Sequence, residues 1–183
     1  MDSERQQHAE AVRRHFRRAL LASMGFVALL GAIFHAGPWL GGLRFLALVP
    51  LEPAGLVGIL SAPLLHGSAG HWLANSSALL ILGTLLGTVY PRAALRALPL
   101  LWLLSGAITW LIGRPSFHIG ASGLTHGLMF LLLFLGLLRR DKPAIAAALI
   151  AFFFYGGMLL TVLPREPGVS WEYHLGGAVA GVL

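Results

Sequence analysis

Apolar runs close to twenty residues long recur along this chain, at about 19–36, 72–90, 94–113, 120–138 and 143–163. Roughly 20 residues of helix cross a hydrocarbon layer about 30 Å thick, so each run is the length of one membrane span. The separators carry proline or charge: Pro91-Arg92, Gly113-Arg114-Pro115, Arg139-Arg140-Asp141-Lys142-Pro143 and the stretch from Pro164 to Gly168. A sixth run opens near His174 and reaches only Leu183, which predicts a sixth helix cut short, about half of a crossing. The expectation is an all-α polytopic membrane protein.

Composition excludes the main alternatives. Only 11% of the 183 residues are charged and 57% are hydrophobic, against about 25% charged in average soluble domains. Seven acids and thirteen bases do not build the charged shell of a soluble globule of this size. The same apolar content excludes intrinsic disorder. The absence of Cys removes disulfide scaffolds, thiol catalysis and cysteine zinc sites.

Residues 1–18 are polar and form an N-terminal segment ahead of the first run. That run is longer than the roughly 7–15 residues of a signal-peptide core and lacks its cleavage pattern, so it reads as a retained span. Residues 37–70 are broken by Pro38, Gly41, Pro50, Pro53 and Pro63, and are expected at the membrane interface with Trp39 and Phe45 at headgroup level. With the N-terminus cytoplasmic, ten of the thirteen basic residues fall inside, and only Arg44, Arg114 and Arg165 fall outside. This bias favours a cytoplasmic N-terminus. It also explains the net charge of +6 without a nucleic-acid partner.

All seven acids lie at the terminus or in the expected loops, and none inside an apolar run. This counts against a carboxylate dyad and against coupling to proton flow. The remaining polar candidates cluster in three places. His71 and Asn75, four apart, share a helix face where the second span begins. Ser122 sits between Gly120 and Gly123 at the start of the fourth, and His174 heads the sixth with Gly177 and Gly181 behind it. Taken alone, each cluster is read more simply as helix packing with an interfacial histidine. Together they fall in one layer at the outer face, because spans two, four and six all begin there. A serine, a histidine and further donors from separate helices are the groups that acyl transfer requires.

These residues resemble a rhomboid intramembrane serine protease. The likeness runs from about 63 to 183, through Pro63-Leu-Leu-His66, His71-x-x-x-Asn75, Gly120-x-Ser122-Gly123 and His174-x-x-Gly177-x-x-x-Gly181. It implies a six-helix bundle over 19–183, placed in a cell membrane of the bacterial inner-membrane type, with a catalytic cavity open to the outside. It further implies Ser122 as nucleophile and His174 as general base and acid. His71, Asn75 and the Ser122 backbone N–H would form the oxyanion hole, and His66 would be structural. The substrates implied are single-span membrane proteins cut near the outer face, within the lipid bilayer. No cofactor or metal is implied, and the oligomeric state is left open.

Two departures stand out. Where relatives carry an aromatic residue packed on the base, this chain has His126, which leaves a second histidine beside the site. A Trp-Arg pair of the first outer loop is here the separated Trp39 and Arg44. The other readings are a catalytically inactive rhomboid-like scaffold for membrane-protein binding or quality control, a small channel or transporter, and a zinc site on His66, His71 and His174. The last lacks both an H-E-x-x-H pattern and a nearby carboxylate. Phe152, Phe153 and Phe154 read either as a lateral gate or as lipid-facing bulk.

Overall fold

The computed structural model describes residues 2–40, 42–164 and 167–183. Gly41 and Arg165, both used in the sequence reading, lie outside the described residues. Seven α-helices are present among them: α1 (Asp2–Ala36), α2 (Gly58–Ser61), α3 (Ala69–Val89), α4 (Pro91–Ile112), α5 (Ser122–Arg139), α6 (Lys142–Tyr155) and α7 (Trp171–Val182). Five stretches, led by α1, α3, α4, α5 and α6, are long and apolar enough to cross a membrane. The all-helical bundle is that of a multi-pass membrane protein. The polar residues from Asp2 to Arg18 continue into the first span as one helix.

Local chemistry sets the helix boundaries. The Ser68 hydroxyl accepts from the His71 backbone N–H at 3.2 Å and caps α3, placing His71 in its first turn. Pro91 opens α4, where its missing N–H costs no helical bond. The Asp141 carboxylate accepts from Ala144 N at 2.9 Å and starts α6. Arg140, at φ 53°, ends α5 in the left-handed conformation.

Helix α5 is the axis of the bundle. Ten of its 18 residues are buried, and it packs on α3, α4, α6 and α7. Leu82, Leu86, Leu128, Met129 and Leu132 fill the core at 0% exposure. Outward, Leu95, Leu137, Leu149 and Phe153 are exposed, a surface that water disfavours and lipid accepts. Phe152 and Phe154, flanking Phe153, are likewise exposed on α6.

The segment between α1 and α3 is a chain of 3₁₀ turns pinned to the bundle. The Trp110 indole donates to Glu52 O at 3.1 Å, and the Trp102 indole to Leu60 O at 3.2 Å. Leu48 and His118 exchange backbone hydrogen bonds at 2.9 and 3.1 Å. Trp39 and Phe45 remain 89% and 71% exposed, as residues set against headgroups would be.

One expectation is corrected. Glu172, assigned above to a loop, stands in the first turn of α7 at 1% exposure. A carboxylate there is favoured by the helix N-terminus, and Arg114 Nε holds it at 3.0 Å. The Arg114 backbone N–H adds a bond at 3.3 Å. The pair ties the loop ahead of α5 to the start of α7.

Candidate active site

Three helix starts lie at one end of the bundle, and each carries one of the clusters singled out in the sequence. His71 and Asn75 are on the first two turns of α3, Ser122 opens α5, and His174 is in the first turn of α7. Ser122 is 7% exposed and Asn75 5%.

Glycines bring these helices together. At Gly177 a Cβ would overlap the carbonyl of Gly123, and at Gly181 it would overlap the carbonyl of Gly127. The expected glycine positions of α7 are therefore where its backbone touches that of α5, one turn apart. Gly123 itself meets the Tyr173 ring, where a Cβ would lie 2.5 Å from Cε2. Gly120 has φ +109°, which L side chains rarely adopt. A Cβ there would overlap the His71 imidazole and lie 3.4 Å from Asn75 Nδ2. The backbone leading into Ser122 thus runs directly against His71 and Asn75. Asn75 Nδ2 is buried with no hydrogen-bond partner among the described residues, a donor held toward that backbone.

His126 stacks face to face on His174, with centroids 4.0 Å apart and planes 12° from parallel. It takes the place expected of an aromatic residue and adds polar contacts that a phenyl ring lacks. Its Nδ1 bonds Ser122 O at 2.7 Å and its Nε2 bonds Thr161 Oγ1 at 2.8 Å. His174 Nδ1 bonds the Thr161 carbonyl at 3.0 Å. A carbonyl only accepts, so Nδ1 of each neutral ring carries the proton. Nε2 of His126 then accepts from the Thr161 hydroxyl, whose single proton is shared with the Met158 carbonyl at 3.0 Å. Nε2 of His174 keeps a lone pair with no partner among the described residues, and Ser122 Oγ has none either.

Thr161 and His118 escaped the sequence reading. His118 is 1% exposed; its Nδ1 bonds Ser170 Oγ and its Nε2 donates to Arg114 O at 3.0 Å. It precedes Ser122 by four residues, and Ser170 precedes His174 by four. Their contact therefore sets the two helix starts relative to each other. The only trace in the sequence is that paired offset, which means nothing until the two loops are known to meet. Thr161 leaves only a faint trace, as a lone polar residue near the end of the apolar run at 143–163, in no motif.

His66 packs edge-on against His71, centroids 5.0 Å apart, and neither of its ring nitrogens has a partner among the described residues. Burial first, and then the neighbouring His71, lower its pKa to about 4. It is neutral at pH 7 and places no charge beside His71. No group of three or more metal-binding side chains exists among the described residues.

The rhomboid domain family matches residues 53–183, which include every one of these side chains. The chain is 43% identical over 143 residues to uncharacterized proteins of Mycobacterium tuberculosis and Mycobacterium bovis, covering 73% of this chain and 60% of each relative. An uncharacterized protein of Mycobacterium leprae is 40% identical over 137 residues, 70% of this chain and 54% of the relative. The match thus spans about 60% of the length of the first of these relatives. A match over most of the chain, with helix starts and glycine contacts arranged as described, means that this protein belongs to the rhomboid family.

Proposed function

We propose that the protein is an intramembrane serine endopeptidase cutting single-span membrane proteins near the outer face. The observation that carries this reading is the hydrogen bond from His174 Nδ1–H to Thr161 O. It leaves Nε2 as the basic nitrogen on a helix packed against the one that begins with Ser122. Nε2 takes the Ser122 hydroxyl proton as Oγ attacks the scissile carbonyl, then delivers it to the leaving amine. The two groups close to hydrogen-bond distance when substrate binds, a common change from the free enzyme. The unpartnered Asn75 Nδ2, His71 and the Ser122 N–H stabilise the oxyanion. The start of α5 adds the positive end of its dipole.

In this reading residues 1–18 lie in the cytoplasm, residues 19–183 form the protease domain, and the site opens to the outside of a bacterial inner membrane. A substrate helix must unwind before cleavage, because its carbonyls are held in its own hydrogen bonds. Weak helix formers near the cut therefore favour hydrolysis. The chemistry needs no cofactor and no metal.

A fluorophosphonate probe separates the enzyme from an inert scaffold on the same fold. Labelling of the folded protein at Ser122, absent from Ser122→Ala, is the expected result. No labelling in folded wild type would leave the scaffold reading standing.

Thr161→Val tests the histidine clamp. It keeps the carbonyl that holds His174 but removes the hydroxyl that His126 Nε2 accepts from. With His126 less firmly held behind the base, kcat is expected to fall about tenfold with little change in KM, and the pH profile to shift. A pH profile identical to wild type would show the hydroxyl to be irrelevant to His174. His126→Phe keeps the stacking ring and is expected to retain more activity than His126→Ala.

A further inference from the structure

A large cleft, about 1430 Å³, opens in the bundle, with neither His71 nor His174 in its lining. It runs between α1 and α4 over a floor of α3, with Leu128 of α5 at its back. Small-molecule sites usually enclose roughly 300–1,000 Å³, so this is a larger space.

Its two ends differ. At one end Phe26 of α1 meets Trp102 of α4, ring centroids 5.7 Å apart, and the Trp102 indole is tied to Leu60. At the other, α1 and α4 diverge, and the mouth is lined by Arg18, Arg92, Arg139 and His15. Arg139 is paired with Asp141 at 3.0 Å and lies over the Tyr90 ring at 5.5 Å. Arg18 and Arg92 form no ion pair among the described residues. The Tyr90 hydroxyl, also at the mouth, is buried with no hydrogen-bond partner among them. From His15 to Phe26 the cleft follows α1 for roughly 16 Å, about half of a hydrocarbon layer some 30 Å thick. A long apolar slot one leaflet deep, opening on unpaired cations and an orphan donor, is complementary to an acyl chain carrying an anionic headgroup.

We propose that this cleft is a binding site for one anionic phospholipid. Its phosphate lies against Arg18, Arg92 and the Tyr90 hydroxyl, and its acyl chain lies between α1 and α4. Basic pockets between spanning helices are the usual hosts of such headgroups. The site fills the gap between α1 and α4, so the lipid would bridge α4 to α1, which packs on α3. The proposal stands independently of the proteolytic reading.

Native mass spectrometry of the purified full chain, titrated in detergent with dioleoyl phosphatidylglycerol or dioleoyl phosphatidylcholine, tests it. Expected is one phosphatidylglycerol per chain, held about thirtyfold more tightly than phosphatidylcholine, the effect of two basic side chains near a headgroup. Arg18→Gln with Arg92→Gln removes that preference, whereas Arg18→Lys with Arg92→Lys keeps it. Should the glutamine pair fail to fold, Arg18→Gln alone is expected to lower the preference about fivefold. Ala22→Trp fills the slot and displaces the lipid. Arg13→Gln with Arg14→Gln removes the same charge outside the cleft and leaves binding unchanged. Equal retention of both lipids overturns the proposal, as does undiminished phosphatidylglycerol binding in the Arg18/Arg92 glutamine pair or in Ala22→Trp. Loss of the preference in the Arg13/Arg14 pair would reduce it to diffuse attraction and also overturn it. A lipid-free dimer would assign the cleft to a second copy and overturn the proposal too.

Discussion

Ser122→Ala is expected to lower the rate of cleavage of a model single-span substrate by roughly 10⁴- to 10⁶-fold, with the protein still folded. Without the hydroxyl no acyl-enzyme forms, and the neighbouring donors act on nothing. His174→Ala is expected to cost about as much, because an alcohol at neutral pH is a poor nucleophile until a base takes its proton. The double variant should be little worse than either single one, since both groups serve the same step. Purified proteins with matching unfolding midpoints, assayed side by side on that substrate, make the comparison. Cleavage persisting in Ser122→Ala would sink the mechanism. An effect of His174→Ala alone would point to His174 as a structural residue.

Gly177→Val is expected to destabilise the bundle by about 3 kcal/mol or more. The atom that a Cβ would overlap at Gly177 is the backbone carbonyl of Gly123, which no rotamer change moves. Helices α5 and α7 must separate, and with them Ser122 and His174, so activity is lost along with stability. Gly181→Ala meets the Gly127 carbonyl one turn further on and should behave in the same way. Gly70 is the internal control. It lies on α3 with no atom within 4 Å of its would-be Cβ, so Gly70→Ala should be neutral or slightly stabilising. Unfolding midpoints in detergent measure all three. An unchanged midpoint for Gly177→Val would show that the two backbones are not in contact.

Much of the fold is legible in the sequence because lipid imposes so few solutions. An expected span at 120–138 is α5 at Ser122–Arg139, and one at 94–113 is α4 at Pro91–Ile112. The glycines at 177 and 181, read alone as packing, are where α7 meets α5. At the candidate site the residue types were legible and the connections were not. His126 stood in the sequence as a departure that left a second histidine beside the site, and only the 4.0 Å stack shows which ring it lies against. Thr161, His118 and the buried Glu172 act through partners 13 to 58 residues away. A one-dimensional pattern does not encode such pairings.

By itself, then, the sequence determined that the chain crosses a membrane several times, where each crossing begins and which polar residues stand at those beginnings. These follow from one physical rule, that hydrocarbon tolerates only internally bonded helices of a set length. The tertiary structure alone decided which ring nitrogen of His174 is engaged and how two loops are stapled through His118. It also decided that α1 and α4 diverge into an arginine-mouthed cleft. Each depends on which surfaces of packed helices face one another, and that is set by contacts between distant residues.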